Sequence, residues 1–311
     1  LELFFILTVL GLIGGMISGL LGIGGAIIMI PLVLFVPLYL GLPAINMKDA
    51  AGMVMVQAMF ASLAGVYVHR KHHYFNSALV IWFGVPIVIG ALTGGILSKF
   101  VDSYFLTGVF GILTVIAYCL ILLPNNEQKD LPLDTLAFNR PIAVLFTLVI
   151  GLCMGMVGAG GAFVLVPLMI NFFNIPTRVT IGSSLGIVLM SSIAGFIGKA
   201  ATGQIPHLLA LALVIGAIPG ALAGSFLSNR IGVKHLKLLL AGIIGLAGGS
   251  VWLELIVNAT LMPIWQALLL ILAGYLIIAW LIRICLRYYK EVYNTNNTSL
   301  SNTSNDKGMD G

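Results

Sequence analysis

Charge is what this chain has least of. Of its 311 residues, 8% are charged and 60% are hydrophobic. Stretches such as Pro141–Phe173 and Leu208–Leu227 hold no charged residue at all, whereas a soluble fold alternates its apolar helix faces with charged ones over much shorter distances. A soluble domain is thereby excluded. Cysteine is also scarce. Cys119, Cys153 and Cys285 sit in apolar runs with no CxxC pair and no His at ligand spacing, so they read as small hydrophobes rather than disulfide or metal positions. The HExxH and GxSxG signatures and a buried His–carboxylate pair are missing, and with them the usual marks of an intramembrane enzyme. The formal net charge is +5, but its basic residues are scattered over short loops instead of forming a stripe. That pattern fits membrane orientation and not nucleic-acid binding. No cofactor, no metal and no catalytic residue is expected.

What is present is hydrophobic length. Apolar runs lie near 3–21, 26–40, 50–68, 77–98 and 104–123, then near 141–157, 162–175, 180–198, 207–228 and 236–257, with a last run near 263–284. The expected fold is an all-α polytopic membrane protein made of two repeats of about five hydrophobic segments and one C-terminal transmembrane helix. The expected boundaries are a first repeat over 1–123, a cytoplasmic linker over 124–140, a second repeat over 141–257, the C-terminal helix over 258–290 and a disordered polar tail over 291–311. The apolar start lacks a basic region, so no cleavable signal peptide is expected.

The repeat is visible residue by residue. GMISGLLGIGGAIIMIP, Gly15 to Pro31, returns as GLCMGMVGAGGAFVLVP, Gly151 to Pro167, with every glycine and the proline at the same spacing. A second pair supports the duplication: GALTGGILS, from Gly90, resembles GALAGSFLS, from Gly220. The runs 26–40 and 162–175 are too short to cross a hydrocarbon core of about 30 Å at 1.5 Å per residue. Each motif is therefore read as a glycine-broken hairpin that returns the chain to the side it entered from. With that count, Lys48, Lys99 and Lys199 fall on one side. Arg70, Lys71, Lys129, Arg140, Arg178, Arg230, Lys234, Lys237, Arg283, Arg287 and Lys290 fall on the other. The positive-inside rule then puts the N-terminus outside and the C-terminus in the cytoplasm, with the second repeat inverted relative to the first.

The glycines divide into two kinds. Gly11, Gly15 and Gly19, Gly151 and Gly155, Gly90 and Gly94, and Gly220 and Gly224 recur every fourth residue, a spacing that lets helix backbones approach closely in lipid. Gly22, Gly24 and Gly25, matched by Gly158, Gly160 and Gly161, are too closely spaced for a helix and precede a new one. They read either as tight turns or as the walls of an anion site, because a helix N-terminus offers unpaired N–H groups and partial positive charge. Polar side chains inside spans are the other candidates: Gln57, Ser183, Ser184, Ser191 and Ser192, with Ser62 beside them. Serine also bonds its own helix backbone, so each has a structural reading too. Glu254, Asp49 and Asp102 fall near span ends and read as interfacial. His69, Arg70, Lys71, His72 and His73 read as a topology anchor in a cytoplasmic loop or, alternatively, as a pH sensor or anion attractor.

The duplicated glycine–proline segments, in a chain of this length, resemble the TauE/SafE family of sulfite and organosulfonate exporters, also called the four-toluene-sulfonate uptake permease family. The resemblance covers about residues 3–285. It implies movement of small sulfur-containing anions across the cytoplasmic membrane. Family members often carry a third consecutive glycine where Ala26 and Ala162 stand, which implies a narrower or differently selective pocket here. Export suits such a cargo, since carrying one negative charge out of an inside-negative cell gains about 2.3 kcal/mol per 100 mV. The expected partners are a small anion and membrane lipid, with no nucleic acid and room for a homo-oligomer. An anion channel of similar architecture, a membrane scaffold and an intramembrane enzyme remain as alternatives.

Overall fold

Apolar runs separated by short polar loops become helices because lipid offers no partner for an open backbone hydrogen bond. The computed structural model describes residues 2–71, 74–123 and 140–260, with 271, 272 and 274. In order, the helices are α1 (Glu2–Leu21), α2 (Ala26–Tyr39), α3 (Met47–Lys71), α4 (Ser77–Leu97), α5 (Ser103–Leu122), α6 (Arg140–Val157), α7 (Ala162–Pro167), α8 (Thr177–Ala201), α9 (His207–Ser228) and α10 (Val233–Thr260). A 3-10 turn, Ser98–Phe100, follows α4, and a π-helical stretch, Leu168–Phe172, continues α7. Among the described residues, eight helices are long and apolar enough to cross a membrane. The chain is an all-α, multi-pass integral membrane protein. Most of the run near 263–284, the tail, nearly all of the linker, His72, His73 and Cys285 lie outside the described residues.

Local chemistry sets several boundaries. The Asn76 side chain accepts from Leu79 N at 3.1 Å and starts α4, and Asp102 accepts from Phe105 N at 2.9 Å and starts α5. Asn46 does the same for α3 through Asp49 N at 2.8 Å. Each satisfies an N–H group that a helix start leaves without an internal partner. Ala26–Tyr39 and Ala162–Phe172 are the short apolar helices, about 21 Å and 16 Å long at 1.5 Å per residue. Neither reaches across a core of about 30 Å. Pro31 and Pro167 lie inside them, and proline removes a donor from the helix ladder. At Pro167 the ladder passes into the wider π stretch.

Two helix pairs form the most extensive contacts, α1 along α9 and α4 along α6. Glycine makes both possible. A methyl group on Gly15 would strike the Ala217 carbonyl, and one on Gly151 would lie 2.5 Å from the Ile87 carbonyl oxygen. From the other side, Gly220 faces Leu12 and Met16, while Gly90 faces Leu148 and Leu152. Backbone against backbone, without side chains between, is how helices gain contact where lipid is as apolar as leucine. Close backbone approach recurs near the starts of α3 and α8, where Gly52 meets the Gln204 carbonyl and Gly182 meets the Tyr74 carbonyl. Helices α3 and α8 pack against each other, α3 lying also along α1 and α9 and α8 along α4 and α6.

Candidate functional site

The chain leaves α1 at Leu21 and re-enters helix at Ala26; it leaves α6 at Val157 and re-enters at Ala162. All six glycines in these two breaks adopt positive φ: 71° at Gly22, Gly24 and Gly25, and 83°, 65° and 91° at Gly158, Gly160 and Gly161. L-residues with a Cβ are strained there, by roughly 1–2 kcal/mol each. Space is short as well. A methyl on Gly22 would lie 2.5 Å from the Ile181 carbonyl oxygen, and one on Gly158 would overlap the Ala51 carbonyl. Each break is therefore seated against the long interior helix of the other half, Gly22 on α8 and Gly158 on α3.

The two breaks also meet each other. A methyl on Gly24 or on Gly160 would lie 2.9 or 3.1 Å from the same atom, Val188 Cγ1, and 3.8 Å from the same Ala58 Cβ. Beyond each break a helix begins with glycine at its cap, Gly25 for α2 and Gly161 for α7, and neither has a side-chain cap. First-turn N–H groups are left for some other acceptor.

The serines named from sequence take two roles. Ser184 Oγ donates to the Gly22 carbonyl at 2.7 Å and Ser191 Oγ to the Gly160 carbonyl at 2.5 Å, so each ties a break to α8. Ser183 accepts from Asn76 N at 3.0 Å and holds the start of α4. Ser62 bonds the Met59 carbonyl in its own helix at 3.0 Å.

A second set has no such partner. Ser18 Oγ, both amide atoms of Gln57 and Ser192 Oγ are buried without a hydrogen bond among the described residues. Leaving polar atoms in that condition costs about 1–3 kcal/mol apiece, and native proteins seldom tolerate it without reason. These atoms gather at the breaks. Ser192 Oγ is 2.9 Å from a methyl position on Gly160. Ser18 Cβ is 3.2 Å from one on Gly25, and Gln57 Nε2 is 3.3 Å from one on Gly14, whose carbonyl itself abuts Gly25. Ser18 is absent from the sequence reading, although it stands inside the repeated motif where the second copy has Met154. Its polarity within that otherwise glycine and apolar stretch is the signal that could have found it.

Lys199 is the other omission. Read from sequence as a loop charge, it is completely buried in the last turn of α8, where its Nζ donates to Ser98 Oγ at 2.9 Å and to the Met156 carbonyl at 3.1 Å. His69 is buried as well, with Nε2 3.1 Å from the Gly19 carbonyl oxygen. Among the other residues weighed, Asp102 is a helix cap, Asp49 bonds Asn46 Nδ2 at 2.7 Å, and Cys119 and Cys153 are half-buried free thiols. No group of three or more potential metal ligands occurs among the described residues.

Comparison with known proteins gives the family of the chain. The family model for the sulfite exporter TauE/SafE matches residues 7–251. The chain belongs to the TauE/SafE family. Curated relatives include the probable membrane transporter protein YunE of Bacillus subtilis, 26% identical over 79% of this chain and 96% of its own length. A probable membrane transporter of Methanocaldococcus jannaschii is 26% identical over 78% of this chain and 93% of its own. One from Xylella fastidiosa strain Temecula1 is 30% identical over 75% of this chain and 90% of its own. No solved structure matches the chain. TauE/SafE membership and these relatives make the protein a member of a membrane transporter family, and the two glycine breaks lie inside the matched region.

Proposed function

We propose that this TauE/SafE protein exports small sulfur-containing anions, such as sulfite or organosulfonates, across the cytoplasmic membrane, and that it acts as a transporter and not as an enzyme. The anion is held where the two glycine breaks meet, between the first turns of α2 and α7. Gly22, Gly24, Gly25, Gly158, Gly160 and Gly161 supply the backbone, Gln57 and Ser192 supply hydrogen-bond donors, and Ser183, Ser184 and Ser191 brace the surrounding loops. The observation that carries this reading is the convergence of Gly24 and Gly160 on Val188 and Ala58, with the unpartnered Ser18, Gln57 and Ser192 beside the breaks. A sulfite or sulfonate oxygen would accept from those hydroxyl and amide groups and from the uncapped N–H groups.

Two inverted repeats, 1–123 and 141–257, account for the reciprocal packing, and rocking one against the other would expose the site to each side in turn. The N-terminus faces outward and the C-terminus lies in the cytoplasm, following the loop charges. The membrane potential alone drives a monoanion outward by about 2.3 kcal/mol per 100 mV, so a coupling ion is not required. Efflux of sulfite and several sulfonates from proteoliposomes tests the proposal. Wild-type protein should release them, and inserted, folded Gly24→Leu and Gly160→Leu variants should not. Normal efflux through both variants would refute the glycine site, and no efflux through wild type would refute the cargo.

A further inference from the structure

Among the described residues, Lys199 is a buried cation with no anion bonded to it. Its two hydrogen bonds go to neutral acceptors, Ser98 Oγ and the Met156 carbonyl, and an ammonium has three N–H groups to place. Its electrostatic neighbour is a second cation, Lys48, whose Nζ donates to the Lys99 carbonyl at 3.2 Å. Three lysines thus gather at one end of the helices, with no carboxylate among the described residues bonded to Lys199 Nζ. A charge held this way inside a membrane protein is costly and marks an ion's path more often than a structural strut.

Position supports the same conclusion. Lys199 lies seven residues after Ser192 on α8, two turns along one face, about 10 Å at 1.5 Å per residue. Ser192 stands at Gly160, and the Met156 carbonyl that Lys199 holds is in the last turn of α6, directly ahead of that break. The opposite end is built on the same plan with different chemistry. His69 reaches the Gly19 carbonyl there, and Arg178 donates to Tyr74 Oη at 3.1 Å and to the Asn229 and Ile231 carbonyls at 3.4 Å. Neutral oxygens surround that guanidinium. Arg178 is only half-buried, so water can take the N–H groups those oxygens leave over, whereas Lys199 is completely buried and has one N–H beyond its two acceptors.

We propose that Lys199, with Ser98 and Lys48, forms a second oxyanion station, through which the transported anion passes between the central glycine site and the face carrying Lys48 and Lys99. This rests on the anion-transport reading above and adds a site to it. A sulfite or sulfonate oxygen would take the remaining Lys199 N–H. Coulomb attraction scales with the anion's charge, which provides a test that a packing defect would not mimic.

Half-saturation is measured in proteoliposomes just above neutral pH for sulfite, most of which is then a dianion, and for methanesulfonate, a monoanion. Lys199→Gln should raise the value for sulfite about tenfold and for methanesulfonate about threefold, because doubling the charge doubles the logarithm of the change. Equal increases for the two anions, or none, would overturn the station while leaving transport intact. If Lys199→Gln gives no folded protein, Lys48→Gln at its half-exposed position carries the test. It should raise sulfite about fourfold and methanesulfonate about twofold by the same scaling, and no change would overturn the proposal. Wild-type protein that carries neither anion refutes the proposed function and the station together.

Discussion

Gly160→Ala and Gly41→Ala ask the backbone the same question in two places. Gly160 has φ 65° and Gly41 has φ 74°, so alanine at either costs roughly 1–2 kcal/mol for a left-handed conformation. Their surroundings differ. A methyl on Gly41 meets nothing within 4 Å, whereas one on Gly160 lies 2.9 Å from Ser192 Oγ and 3.1 Å from Val188 Cγ1. Both neighbours are side-chain tips that can give by a few tenths of an ångström, so the steric addition to stability is small and the disturbance falls on the candidate site. Both variants should therefore lose similar stability, shifting the folded-to-unfolded ratio about 5- to 30-fold. Only Gly160→Ala should lose transport, by about tenfold or more, which corresponds to 1.4 kcal/mol. Denaturant titration in mixed micelles gives the first quantity and proteoliposome sulfite efflux the second. Equal loss of efflux in the two variants would mean that strain alone is being read out. A folded Gly160→Ala with wild-type efflux would refute the site outright.

Two further outcomes follow from the contacts. Gln57→Leu replaces a buried amide without partners by an apolar side chain of similar size, so stability should hold or rise, by up to about 1–3 kcal/mol, while sulfite efflux falls; destabilisation in the same denaturant titration would mean that the amide has a structural partner. Gly94→Ala and Gly224→Ala drive a methyl into the Leu152 and Met16 carbonyls respectively. Each should cost about 1–3 kcal/mol of overpacking and nearly the same as the other, and a large inequality in unfolding would show that the α4–α6 and α1–α9 contacts are not equivalent.

Helices were readable from the chain because lipid makes hydrophobic length decisive. The run expected over 207–228 is α9 residue for residue, and the runs too short to span became α2 and α7. Gly22 and Gly158 could be singled out because only glycine suits such tight spacing, and they do adopt positive φ. Lys199 was not readable. A lysine three residues before a Thr-Gly turn looks like a span end, and its burial depends on Ser98 and Met156, 101 and 43 residues away in the chain. Ser18 was hidden for a related reason. On α1 it shares a face with packing glycines, and only the arrival of the Gly25 turn reveals that its hydroxyl has no neighbour to bond.

The hydrogen bond from Ser184 to the Gly22 carbonyl joins residues 162 positions apart. At a synthesis rate of about 5–20 residues per second, Gly22 is made about 8–30 s before its partner exists. The first break is thus made well before the helix that completes it. During that interval its carbonyl must be satisfied by water, lipid headgroup or insertion machinery. Biogenesis, as much as transport, constrains what the first repeat can tolerate at this position.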